Sequence, residues 1–278
     1  MFKLKSKLII AVMVMFGITA FMSCEKKKAV NLESNKDEIA SLKMAGIEHN
    51  KGLDYVLQEL KTTSQNKHLN LKSSNDIFSL VKTSTKDFLI INSDIISSSN
   101  NDYAIECAEN AFDWVESNHS ESNTKSITDD NSYYSSIEDS LSLNQKELLN
   151  IINDAINDID LDLEATLSVF ETVRNRANTE LNEDERIPII AAIEIGSNSM
   201  IYWSENIDEW AEVFSNGNKS AKGWFNWKKV GGADVKGAVT GGVTGAITGA
   251  GAGIGALGGG VGASAGQAAL ELWNHWVN

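Results

Sequence analysis

Apolar residues recur at alternating spacings of three and four along most of this chain, the pattern of helices that bury one face. The first stripe runs through Ile39, Leu42, Gly46, His49, Leu53, Val56 and Leu60. A second joins Ile77, Val81, Phe88, Ile91 and Ile95, and a shorter third joins Ile105, Ala108, Phe112 and Val115. The Ser, Asn and Asp residues of 117–132 then predict a solvated loop. Asn144 with Glu147 offers a capping pair for a fourth helix, whose stripe is Leu148, Ile152, Ile156, Ile159, Leu163, Leu167 and Phe170. A fifth helix starts near Asn182, keeps Pro188 in its first turns, and carries Ile189, Ile193, Gly196, Met200, Trp203, Ile207, Trp210 and Phe214. Amphipathic helices joined this closely predict an all-α bundle over 33–214, with the heptad-like spacing serving its core rather than a partner zipper.

The pattern changes after Ser215-Asn216-Gly217-Asn218. A linker over 215–229 carries Trp224, Trp227, Lys228 and Lys229, and no charged residue occurs from Gly237 to Leu270. Glycine returns every fourth position at Gly237, Gly241, Gly245, Gly249 and Gly253, then again at Gly258, Gly262 and Gly266. Positions four apart share a helix face, so each series draws a groove without side chains along which another helix can approach closely. As one helix at about 1.5 Å per residue, the stretch would overshoot a hydrocarbon core of about 30 Å. The triplet Gly258-Gly259-Gly260 therefore predicts the turn of a helical hairpin over 230–278. Trp273, His275 and Trp276 close the tail, and a hairpin would bring them beside Trp224 and Trp227 at a lipid–water interface. A flexible linker would pair glycine with Ser and Asn, whereas this one pairs it with Ala, Val, Thr and Ile at a fixed period. The series resembles glycine-zipper membrane segments. Gly231-Gly232 followed by a glycine- and alanine-rich peptide is similar to class II bacteriocins with a double-glycine leader, although here more than 200 residues precede it.

The N-terminus reads Met1-Phe2-Lys3-Leu4-Lys5-Ser6-Lys7, then an uncharged run from Leu8 to Met22, then Ser23-Cys24. Basic residues, a short apolar run and a small residue before the break predict a secretory signal peptide over 1–23. Cys24 at the end of that run resembles the lipobox of bacterial lipoproteins, in the looser form of the Bacteroidetes type, with Phe21 where Leu is usual. The resemblance implies that Cys24 receives diacylglycerol, begins the mature chain and anchors it to the envelope, with 24–32 as a tether. Which membrane face it occupies is left open by the sequence.

The formal net charge of −14 argues against a sequence-independent grip on nucleic acid. With Cys24 consumed by lipid, Cys107 is the one remaining cysteine and reads as an inert buried thiol. His49 lies on the first apolar stripe and could serve as a general base or metal ligand. No other histidine stands at ligand spacing from it, so a satisfied core histidine is the better reading. Its surroundings, His49-Asn50-Lys51-Gly52-Leu53-Asp54-Tyr55, resemble a segment of secreted proteins of related bacteria, and this implies no activity. Asp154, Asp158, Asp160 and Asp162 put three carboxylates, at i, i+4 and i+8, on one face of the fourth helix, which reads as a solvated acidic face. An EF-hand fails there, because Leu163 and Val169 stand where glycine and glutamate are needed. No nucleophile elbow, zinc signature or phosphate loop is present.

The sequence thus predicts a non-enzymatic cell-envelope lipoprotein without cofactor or metal. Its glycine-zipper tail is expected to pack in or on a membrane and to support self-association, with a soluble helical hairpin packed on the bundle, or a disordered segment, as the alternatives. A bacteriocin-like membrane-active toxin and a soluble helical module binding a ligand near His49 are the rival readings.

Overall fold

The computed structural model describes residues 27–65, 73–97, 99–120, 137–215, 221 and 223–276. The expected signal peptide and Cys24 lie outside the described residues. The chain divides into two compact units, Met1–Asp37 and Glu38–Asn278. In the first, the expected tether is helical from Lys27 onward. The second unit carries the fold described below.

Among the described residues all regular structure is helical. Helix α1 spans Lys27–Gln65 and α2 spans Ser74–Asp87. A Ser73–Asp76 capping box starts α2, and a π-helical turn over Phe88–Asn92 ends it. Helix α3 spans Asn101–Ser120 and so takes in the first residues of the predicted loop, whose remainder lies outside the described residues. Helices α4 (Leu143–Asn157), α5 (Leu163–Glu180) and α6 (Glu183–Phe214) follow, and α7 (Trp227–Thr248) and α8 (Ala252–Trp276) form the hairpin.

The predicted fourth helix is two helices. Asp158 terminates α4, and Asp162 caps α5 by accepting from the Ala165 amide. Asp160 lies in the turn between them, where its amide donates to Asp158. The aspartates at 158, 160 and 162 therefore do not share a helix face with Asp154. Their short side chains compete for backbone amides, which favours caps and turns over a helix interior. Ile159, placed on the predicted stripe, is 93% exposed. The start of α4 is also capped two residues earlier than expected, by a Ser142–Gln145 box instead of Asn144 with Glu147. The fifth predicted helix does begin where Asn182 signalled, through an Asn182–Glu185 box.

The tail is the largest departure. It is neither a separate domain nor peripheral: α7 and α8 form the centre of the second unit. Every residue from Val230 to Val239 is buried, as is all of Ala252–Ala269 except the half-buried Ile254. A helix apolar on all sides must be covered on all sides, by lipid or by protein. Here protein covers it. On one side, Ile152, Ile156, Phe170 and Val173 of α4 and α5 pack with Ile189 and Ile193 of α6 and with Val235, Val239 and Val243 of α7. On the other, Leu53, Val56, Phe78, Val81 and Phe112 of α1–α3 pack with Ala256, Leu257, Val261 and Ala265 of α8.

The hairpin turns at Gly249-Ala250-Gly251, not at the glycine triplet. Gly249 and Gly251 adopt φ of 78° and 105°, a left-handed backbone that glycine enters at no steric cost. The triplet Gly258-Gly259-Gly260 lies within α8, each glycine against a different neighbour.

Candidate functional site

Two features of the hairpin carry the functional argument: a glycine seam and a sealed polar cluster beside it. In the seam, side chains on Gly237, Gly241 and Gly245 of α7 would collide with the carbonyl oxygens of Gly259, Gly255 and Gly251. The partner glycines 255 and 259 lie outside the four-residue series read from the sequence. The rest of the expected groove is distributed among other helices. A Cβ on Gly253 would stand 2.7 Å from the Ser41 carbonyl oxygen of α1, and one on Gly262 would stand 2.8 Å from that of Ala108 on α3. Gly258 meets the Ala104 carbonyl, and Gly266 the Phe112 ring. Gly249 belongs to the turn and faces no neighbour. The small residues Ala104, Cys107 and Ala108 along α3 are thus the counterpart of Gly258 and Gly262 in the second glycine series. These contacts occupy the groove within one chain.

The aromatic and basic residues expected at a lipid interface meet at the open end of the hairpin. Trp224 stacks on His275 with ring centroids 3.5 Å apart, and Trp276 approaches Trp224 edge-on at 5.8 Å. Trp273 is buried in the core of α1–α3 and α8. Lys228 lies over the Trp227 ring at 5.5 Å and donates to the Asp158 carbonyl. Lys229 pairs with Glu271 at 3.0 Å, joining the two arms of the hairpin.

The polar cluster is built around His49 and Asp234, both 0% exposed. Its hydrogens are fixed from both ends. The Asn50 amide nitrogen donates to the Asn198 carbonyl at 3.2 Å, which turns the Asn50 oxygen toward His49 Nδ1, 3.0 Å away. Nδ1 is therefore the donor, and Nε2 is the nitrogen left to face Asp234. At the other end, Trp203 Nε1 donates to Ser264 Oγ at 2.9 Å, so the Ser264 hydroxyl hydrogen goes to Asp234 Oδ2 at 2.8 Å. Ser199 donates to the same oxygen. Nε2 of His49 lies 3.6 Å from Asp234 Oδ2, and among the described residues neither Nε2 nor Asp234 Oδ1 has a hydrogen-bond partner. Burial pushes the Asp234 carboxyl up from the ordinary aspartate range, and His49 and the two serines oppose that shift.

His49 is thus a core residue as expected, but not a satisfied one. Its sequence signal was clear, since it sits on an apolar stripe. The signal for its partner was an acidic residue enclosed by Gly232, Ala233 and Val235, just ahead of the charge-free stretch. Gly260 makes the space for the imidazole: a Cβ there would lie 3.3 Å from His49 Cδ2 and 2.8 Å from Ile195 Cγ2.

Serine, histidine and aspartate do not form a nucleophilic triad here. Both serines donate to the carboxylate rather than to the imidazole, so nothing activates either hydroxyl. Among the described residues, no group of three or more His, Cys, Asp and Glu is placed to hold a metal ion. Cys107 is buried, and burial pushes its thiol up to about 11. No protein-family model, no curated protein and no solved structure matches this chain.

Proposed function

We propose that this chain is a non-enzymatic lipoprotein of the bacterial cell envelope, tethered through lipid on Cys24, whose glycine hairpin is the internal spine of a helical module. The observation that carries this reading is the seam. Gly237, Gly241 and Gly245 meet Gly259, Gly255 and Gly251 backbone to backbone, and α3 takes up the second glycine series. Membrane contact then falls to the lipid, because no described helix is long and apolar enough to cross a membrane. A non-enzymatic role is supported by the enclosure of the His49–Asp234 cluster, which gives a substrate no route to it. The same enclosure weighs against a ligand pocket at His49. Self-association through the zipper glycines would require undoing the seam.

One observation favours a second reading, in which the hairpin is a membrane-active segment stored within the bundle. The stretch from Gly237 to Leu270 carries no charge and is wrapped by amphipathic helices. Vesicle flotation separates the two. The full chain carrying Cys24→Ser is mixed with phosphatidylethanolamine–phosphatidylglycerol liposomes and spun through a density gradient. The internal-spine reading expects the variant to remain with free protein, whereas the lipidated chain floats. Flotation of the Ser variant that depends on the hairpin would overturn it in favour of the stored segment.

A further inference from the structure

We propose that His49 and Asp234 share a single proton and act as a latch between α1 and the hairpin, held closed by that one proton and opened by either gaining a second or losing the first. The hydrogen positions lead to this directly. His49 Nδ1–H is committed to Asn50, and both serine hydroxyls and Trp203 are committed toward Asp234. One position remains undecided, between Nε2 and the Asp234 carboxyl, 3.6 Å apart. With one proton there, the pair is neutral in sum, as imidazolium with carboxylate or as imidazole with carboxylic acid. A second proton leaves an imidazolium that faces only a neutral carboxylic acid. No proton leaves an unpaired carboxylate. Either net charge would lie at 0% exposure, where an uncompensated ion is strongly disfavoured.

Among the described residues, the other charged groups on the surrounding elements have partners of their own. On α1, the neighbouring Glu48 is engaged by Lys51 and by the Asp94 amide. On α6, Ser199 and Trp203 face the pair, while Glu194 is held by Arg174 of α5. On α8 the facing residue is Ser264, and on α7 Lys236 lies over the Trp114 ring at 5.3 Å. Because Asp234 is held from α6, α7 and α8 together, the free partner in an opening is α1. Its movement would uncover the α8 face beside Gly260 and Val261.

The test follows stability and local opening across pH in the full chain. Urea midpoints are read by tryptophan fluorescence from pH 4 to 10, and hydrogen exchange is followed in residues 42–56. His49→Gln leaves the carboxyl alone, so stability is expected to be lost as pH rises, with the alkaline limb moved down by about one pH unit or more. Asp234→Asn removes the carboxyl, so that alkaline displacement is absent from it and from the double variant. Ser199→Ala, a milder change that withdraws one donor from the carboxylate, moves the alkaline limb in the same direction as His49→Gln and serves where a cluster variant does not fold. In the wild type, exchange in 42–56 rises at both pH extremes ahead of global unfolding. Coincident profiles for the variants and wild type, displacements in the same direction for His49→Gln and Asp234→Asn, or exchange that rises only with global unfolding would each overturn the latch.

Discussion

Gly241 and Gly255 face each other across the hairpin so closely that a side chain on either would collide with the other's carbonyl oxygen. This reciprocity makes the seam sensitive to a single methyl group. Neither backbone can withdraw, because α7 is backed by α6 and α8 by α3. Gly241→Ala is expected to cost about 3 kcal/mol, at the upper end for overpacking. Gly223→Ala, with no neighbouring atom within 4 Å, is expected to change stability by less than about 0.5 kcal/mol. Gly249→Ala has equal room but a φ of 78°, and should cost about 1 kcal/mol through backbone strain. Thermal unfolding by circular dichroism ranks the three. Equal losses for Gly241→Ala and Gly223→Ala would remove the seam from the account.

The pair of Lys229 and Glu271 predicts a pH dependence. The Glu271 side chain is 11% exposed, and desolvation raises its carboxyl above the ordinary range while Lys229 and Gln267 oppose the rise. Lys229→Met removes the charged partner and leaves a mostly buried carboxylate with Gln267 alone, at a cost of about 2 kcal/mol near neutrality once the partial exposure of Lys229 is allowed for. With its folded-state value above its unfolded one, Glu271 favours the folded state when protonated and loses that contribution as pH rises. The deficit of the variant should therefore narrow on acidification from pH 8 toward pH 4.5, read as the difference in urea midpoint from wild type. A deficit independent of pH would assign the loss to packing of the lysine stem.

Cys107 should be nearly silent toward thiol reagents. With the thiol pushed up to about 11 and buried, its thiolate fraction at pH 8 is about 0.001. In the Cys24→Ser chain, Ellman's reagent is expected to react only as the protein unfolds, at a rate that tracks denaturant. Prompt reaction in buffer would show that α3 opens locally.

The start of α4 is a case where the local sequence could be read yet was read two residues late. Ser142→Ala should cost about 1 kcal/mol by opening its capping box with Gln145, whereas Asn144→Ala inside the helix should be close to neutral. Thermal midpoints of the two variants decide between the boxes. A larger loss for Asn144→Ala would restore the later start.

Much of the bundle was legible because apolar spacing is a local property. The stripe Leu42, Leu53, Val56 and Leu60 is buried, and so is Ile189, Ile193, Trp203, Ile207 and Trp210. The break at Asp158–Asp162 was not, because Ile156, Ile159 and Leu163 keep helical spacing across a turn. The aspartate caps, not the hydrophobic period, ended the helix there. In the site, His49 could be selected from its stripe. Its partner could not, since Asp234 lies 185 positions away in sequence and only the packing of α1 on the hairpin brings them together.

The sequence by itself determined that the chain is helical, that its C-terminal stretch needs cover on every side, and that its glycines exist for close approach. Those properties follow from periodicity, from charge and from the absence of Cβ atoms. Only the tertiary structure decided what provides the cover. Lipid tails and the apolar faces of α1–α6 meet the same requirement, since both remove apolar surface from water and neither asks the hairpin for a hydrogen bond. The choice between them rests on a sum of distant contacts: Ser41, Ala104, Ala108 and Phe112 against α8, and the valines of α7 against Ile156 and Phe170. No local window of sequence contains that sum, and so the same glycines that read as a membrane groove stand here at the centre of a bundle.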